Sequence, residues 1–175
     1  ISAAIAKHGK SLRIGDMLVE QGIITEEDVD KAIGIQKEKS IPFGEVLLEL
    51  GLINERILLI NLAHQGQVPF IEPSFGMIDK SVLVGVSPDF LAKNQFMPFA
   101  KDDDGRTVVV VSNLHDFKVK QSIDDIYHGD FTLALGPSES LKQCIEDYRR
   151  FGTKTDSPRH AETEAEEDEN SIIPL

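Results

Sequence analysis

The 175-residue chain has no tryptophan, two tyrosines and one cysteine, Cys144. Its cores must therefore be largely aliphatic, and a single thiol excludes an internal disulfide and fits a reducing compartment. No apolar run approaches the roughly 20 residues that span a bilayer, so the chain reads as soluble, without membrane insertion. Residues Ile1 to Gly9 lack the charged start and small-residue cleavage site of a secretory signal. A phosphate loop is missing too: the one Gly-Lys pair, Gly9-Lys10, has no earlier glycine at the spacing that cradles ATP. The histidines His8, His64, His115, His128 and His160 are scattered, with no pair at metal-ligand spacing, and read as surface or satisfied polar groups. Cys144, beside Leu141 and Ile145, reads as a small buried hydrophobe. Asp102 to Asp104 read as a solvated turn, and Asp124, Asp125 and Asp147 as solvated helix faces. Nothing assembles into a catalytic set, so an intrinsic enzyme is the weakest functional class.

A basic surplus is also lacking, since the net charge is −12. Residues 1–71 carry 7 basic and 10 acidic groups, residues 72–151 carry 9 and 13, and residues 152–175 carry 2 and 7. Two regions near neutrality followed by an acidic tail argue against general nucleic-acid binding, which needs a basic face. One small anionic ligand, held by a few placed groups, stays open.

What is present is a repetition. Arg13–Gln36 and Pro42–Gln65 are two units of 24 residues joined by the five residues Lys37 to Ile41. Gly15 aligns with Gly44, Leu18-Val19 with Leu47-Leu48, Gly22 with Gly51, Ile23-Ile24 with Leu52-Ile53, Val29 with Leu58, Ile33 with Leu62 and Gln36 with Gln65. Internal repetition defines architecture. The terminal glutamines are polar and no core needs them, which points beyond packing.

Each unit reads as two short helices around a glycine, a helical hairpin. Thr25 before Glu26-Glu27-Asp28 predicts a capping box, and Asn54 predicts the matching N-cap. Gly22 and Gly51 are expected to stop helices with positive φ, and Pro42 to sit in the first turn of the third helix. After Gln65 the period changes. Val68 to Ile71 leaves the helices, and Pro73 to Gly76 reads as a linker. The apolar run Val82 to Val86 is either a strand or part of an entry helix. Ser87 caps a short helix to Asn94, Phe96 to Ala100 and Thr107 to Val111 read as a hairpin, and residues 117 to 127 as a helix. Phe131 to Leu135 then reads as a strand and Ser138 to Phe151 as a closing helix capped by Ser138. The fold class is therefore α+β: a duplicated four-helix subdomain over 1–71, a small α/β subdomain over 72–151, and an acidic tail over 152–175. Gly152 to Asn170 reads as disordered from composition. The apolar Ser171 to Leu175 reads as the start of a further domain.

The first unit matches, with aliphatic exchanges only, the pattern Arg-Leu-Gly-x-x-Leu-Leu-x-x-Gly-Leu-Leu-x-x-x-x-Leu-x-x-x-Leu-x-x-Gln. It resembles the N-terminal domains of type II secretion and type IV pilus assembly ATPases, the GspE/MshE type. Val86-Ser87-Pro88, Phe96 to Phe99 and Val108 to Asn113 resemble the α/β part that follows in that family, and Ser171 to Leu175 resembles the lead into the ATPase core. In that family two tandem copies with a five-residue spacer form a cyclic di-GMP site. The resemblance implies a regulatory ligand, cyclic di-GMP, and no cofactor.

The implied contacts are Arg13 to a phosphate or a guanine, and Gly15 and Gly44 allowing backbone N–H groups to approach phosphate oxygens. Ile14 and Phe43 would supply apolar surface, and Gln36 and Gln65 polar walls. The second unit departs from the first, with Pro42 where Arg13 stands and Phe43 where an aliphatic residue stands. Asn113-Leu114 replaces the Asp-Pro common in relatives after the Val108–Val111 strand, so an amide stands for a carboxylate. The resemblance implies as partners the ATPase core and the cytoplasmic domain of an inner-membrane secretion or pilus protein. It places the chain in the cytoplasm, peripheral to that membrane. The competing class is a docking module that binds the membrane partner without nucleotide.

Overall fold

The computed structural model describes residues 13–152. The four helices of the repeat are α1 (Ile14–Glu20), α2 (Glu26–Lys39), α3 (Phe43–Glu49) and α4 (Glu55–Gly66). Their ends are made by the same atoms in both units. Gly22 and Gly51 hold φ of +69° and +67°, which only glycine adopts without strain. Around the first, Gly22 N–H donates to Val19 C=O at 2.9 Å and Ile23 N–H to Leu18 C=O at 2.9 Å. Around the second, Gly51 N–H donates to Leu48 C=O at 2.9 Å and Leu52 N–H to Leu47 C=O at 3.1 Å. Both are Schellman stops, which satisfy helix-end carbonyls. Thr25 and Asp28 form the predicted capping box at the start of α2, and Asn54 Oδ1 accepts from Ile57 N–H at 2.9 Å to cap α4. Pro42 lies one position earlier than predicted. It is the extended N-cap of α3, with φ −57° and ψ 141°, and its carbonyl accepts from Glu45 and Val46. Arg13 is the matching N-cap of α1.

The units interlock rather than standing side by side. The main helix pairings cross between units, α1 with α4 and α2 with α3. Leu18, Ile24 and Ala32 from the first unit meet Val46, Leu47, Ile53 and Leu58 from the second in one buried cluster. A lone unit would leave half of these side chains in water, so neither is a folding unit by itself.

The remaining elements form the α/β part: α5 (Pro88–Asn94), β1 (Phe96–Lys101), β2 (Thr107–Val111), α6 (Phe117–Tyr127), β3 (Phe131–Leu135) and α7 (Ser138–Phe151). The sheet order is β1-β2-β3, with β1 antiparallel and β3 parallel to β2. A bulge between Pro98 and Ala100 accommodates the proline, which has no N–H for the ladder. Pro69 to Ile71 extends along the outer side of β3, with Ile71 N–H donating to Leu135 C=O at 2.8 Å and Leu135 N–H to Pro69 C=O at 2.9 Å. Gly136 is required there, because a Cβ on it would lie 2.2 Å from the Ile71 carbonyl oxygen.

Three expectations change in detail. The run from Val82 is neither strand nor α-helix but a 3-10 turn over Lys80–Leu83, started by Asp79 and buried through Val82 and Leu83. The Pro73 to Gly76 linker is packed, since Phe75 opens a second 3-10 turn and stacks on Tyr148 with centroids 5.8 Å apart. Helix α7 is capped by Pro137, not by Ser138, which is its first residue. The reading of 152–175 as a disordered tail with an apolar end falls, apart from Gly152, outside the described residues.

Helix α4 belongs to both cores. Leu58 packs in the repeat cluster, whereas Leu59 and Ala63 are buried in the α/β cluster with Val109, Val110, Leu135 and Leu141. Leu62 touches both clusters.

Candidate functional site

The candidate residues lie at the starts of α1 and α3, near the ends of α2 and α4, and in the loop after β2. Arg13 is exposed at the N-cap of α1, and its guanidinium makes no hydrogen bond or ion pair with the described residues. Ile14 beside it is half-buried, and Gly15 is buried. The Phe43 ring of the second unit lies directly on Gly15, since a Cβ there would meet Phe43 Cε1 at 3.3 Å. The structure therefore joins three of the proposed residues, Ile14, Gly15 and Phe43, across the two units.

Gly44 occupies the matching place in the second unit, where a Cβ would meet Leu58 Cδ1 at 2.8 Å. Gly15 faces the aligned residue, Val29, with its Cγ1 at 3.6 Å. Gly15 is thus closely approached by a side chain of the other unit and Gly44 by one of its own. Packing alone accounts for the repeated glycine, whatever else its backbone meets.

Gln36 is half-buried near the C-terminal end of α2 and makes no side-chain hydrogen bond with the described residues. Gln65 is exposed in the last turn of α4. The next residue, Gly66, abuts the loop after β2, where its Cβ would lie 2.9 Å from Leu114 Cδ1. Gln65 and the exposed Asn113 each precede a residue of that contact in the chain. Asn113 Oδ1 accepts from His115 N–H at 2.9 Å, so its amide oxygen shapes the loop.

One pair in this region was absent from the sequence reading. Asn61 is 3% exposed, donates through Nδ2 to Ile57 C=O at 3.0 Å, and accepts at Oδ1 from Gln21 Nε2 at 2.8 Å. It ties the C-terminal end of α1 to the middle of α4. Its counterpart in the first unit is the buried Ala32, and a polar residue at an aligned core position was the available signal.

Perturbed titrating groups lie elsewhere. Hydrogen bonds from the Thr25 backbone and hydroxyl hold Asp28 below the usual carboxylate range. Burial, then the charge of Asp147, pushes the Cys144 thiol up to about 12. Burial likewise raises Tyr127 to about 12, and its hydroxyl donates to Val82 C=O at 3.2 Å. These groups cap helices or pack cores. Two concavities of about 560 and 550 Å³ lie on the α/β part, one between α5 and the start of α7, the other between Pro73-Ser74 and α7. Neither includes a residue of the repeat.

Residues 67–155 match the model of the MshEN domain family, just over half of the chain. The chain belongs to the MshEN domain family. The matched span begins one residue after α4 ends, so it covers the α/β part. A solved structure of MshE with cdg is 23% identical to this chain, with a TM-score of 0.63, covering 78% of this chain and 99% of that one. The N-terminal domain of XpsE is 21% identical, with a TM-score of 0.51, covering 77% and 92%. A span of 78% of the chain exceeds the α/β part alone, so the shared fold takes in at least part of the helical repeat. No curated protein matches the chain. The MshEN match and the shared fold agree with the GspE/MshE-type resemblance carried by the two units and with the α+β class.

Proposed function

We propose that this MshEN-family chain is the regulatory and docking N-terminal part of a bacterial secretion or pilus ATPase, and that it receives cyclic di-GMP on its two tandem units. The observation that carries the reading is the contact of Phe43 with Gly15. It makes the starts of both units one composite surface, with the exposed guanidinium of Arg13, unpaired among the described residues, at its rim. The fold shared with MshE, solved with cdg, supports it. Arg13 would pair with a phosphate or stack on a guanine, and Ile14 and Phe43 would cover a ring face. Backbone at Gly15 and Gly44 would approach phosphate oxygens. Gln36, Gln65 and Asn113 would offer amides to base edges or hold the walls.

In this reading residues 1–71 form the receptor, 72–151 the α/β subdomain and 152–175 the connection to the ATPase core. The chain would work at the cytoplasmic face of the inner membrane through its partners. No helix among the described residues is long and apolar enough to cross a membrane. Thermal unfolding with cyclic di-GMP or GMP tests the proposal. Cyclic di-GMP at 100 times its Kd adds about 2.7 kcal/mol and raises Tm, while GMP does not. An unchanged Tm with both ligands contradicts it.

A second reading, docking without nucleotide, is favoured by apolar side chains exposed on the α/β part: Val84 at 82%, Phe117 at 75% and Met77 at 63%. Capture of a membrane protein's cytoplasmic domain that survives Arg13→Ala but fails with Val84→Asp would support it. Retention of binding in both variants would remove these residues from the interface.

A further inference from the structure

We infer that Glu55 acts as a cap supplied in trans to helix α7, latching the first turn of α7 to helix α4 and thereby coupling the repeat to the last described helix. A helix start leaves backbone N–H groups that need acceptors. Helix α7 follows Pro137, which has no side-chain acceptor to offer. The acceptor comes instead from 83 positions away: Ser138 N–H and Ser138 Oγ–H both donate to Glu55 Oε1, at 3.3 and 3.1 Å. A carboxylate is favourable at this positive end of a helix.

The latch is part of a grip along the whole of α4. Next to Glu55, Arg56 pairs with Glu72 at 3.1 Å and lies 5.7 Å from the Phe70 ring centre. Phe70 belongs to the segment bonded to β3. In mid-helix, Leu59 and Ala63 are buried in the α/β core. At the far end Gly66 abuts Leu114. Displacement of α4 in the repeat therefore strains the Glu55 contact and loosens the start of α7.

The repeat contains its own control. Glu26 aligns with Glu55, opens α2 as Glu55 opens α4, is exposed, and its carboxylate makes no hydrogen bond with the described residues. The same residue at the same place in the pattern is latched in one unit only, because among the described residues only Glu55 reaches the first residue of α7.

Amide hydrogen exchange on the full 175-residue chain tests the latch. Glu55→Ala is expected to speed exchange of the Ser138 amide about five-fold, the typical effect of losing a cap, and of the Leu141 amide that closes the first turn, while Glu26→Ala leaves both unchanged. In a cycle with Ser138→Ala, the effects of the two substitutions are non-additive. Equal protection of these amides in wild type and Glu55→Ala, or a matching loss in Glu26→Ala, overturns the inference. One further arm rests on the nucleotide reading: cyclic di-GMP shifts exchange of the same amides in wild type and not in Glu55→Ala. If calorimetry shows no binding, the nucleotide reading fails and the mutant comparison still decides the latch. If binding occurs and the α7 amides respond alike in wild type and variant, coupling through Glu55 is refuted.

Discussion

The two units of the repeat share their scaffold and differ in what they touch. Their Schellman stops, their N-capped second helices and their close-packed glycines repeat residue by residue. Three of their differences set what each unit meets. Arg13 becomes Pro42, Ile14 becomes Phe43 and Ala32 becomes Asn61. The first unit presents an exposed guanidinium and packs within the repeat. The second supplies the ring that lies on Gly15 and the helix that enters the α/β core. Duplication built one symmetric core, and divergence gave one half the exposed cation and the other the connection to the rest of the chain.

The strongest test of the shared core is a matched pair. Leu18 and Leu47 are both fully buried at aligned positions. Leu18→Ala and Leu47→Ala should each cost about 3 kcal/mol by denaturant unfolding. A markedly smaller cost for either would show that the units do not share one core.

The next test concerns the broken symmetry at Asn61. Ala32→Asn places an amide at a fully buried site without a partner and should cost about 2 kcal/mol. Asn61→Ala, which restores the symmetric residue, should cost only about 1 kcal/mol, because the exposed Gln21 regains water. Equal costs would mean that the Gln21–Asn61 bond is not what distinguishes the sites.

The caps predict a smaller effect with a pH signature. Thr25→Ala and Asn54→Ala should each cost about 1 kcal/mol at neutral pH. Only the first cap includes a carboxylate. Asp28 is held below its ordinary value of 3.8 in the folded chain, so its contribution is present above that pH and is lost as pH falls through the depressed value. The destabilisation of Asp28→Asn measured at pH 7 should therefore shrink in acid, whereas that of Asn54→Ala should not. An Asp28→Asn penalty as independent of pH as that of Asn54→Ala would contradict the capping box.

The weakest signal comes from Cys144, the only thiol, buried in the α/β core and held up at about 12. At pH 8 it should react with a thiol reagent only as fast as that core opens. Leu47→Ala, in the other core, should speed the reaction if α4 joins the two regions into one cooperative unit. An unchanged rate would separate them.

Much of the fold was legible because its signals are local. Thr25, Asn54 and Ser87 cap the helices they were expected to cap, Gly22 and Gly51 hold positive φ, and Asp102 to Gly105 turn the hairpin. What stayed hidden depends on distant partners. Each unit's pattern marks an apolar face without saying which helix will cover it, so the crossed pairing of α1 with α4 did not show. Ser138 looked like a cap, yet the preceding proline already supplies the extended backbone and the acceptor is Glu55. Glu26 and Glu55 are indistinguishable in the repeat, and among the described residues only the second carboxylate accepts a hydrogen bond from a distant helix. At the candidate site, the alignment found Gly15 and Gly44 but not that Phe43 and Leu58 fill the space above them.

The most direct test of the central claim is a calorimetric titration of cyclic di-GMP into the full chain and into Arg13→Ala, with GMP as control. The account predicts saturable binding by the wild type, loss of at least about tenfold in affinity in the variant, as expected when a charge-assisted contact of about 1.4 kcal/mol or more is removed, and no heat from GMP. Absence of heat with the wild type, or equal affinity in the variant, would contradict it and leave the two units as scaffold.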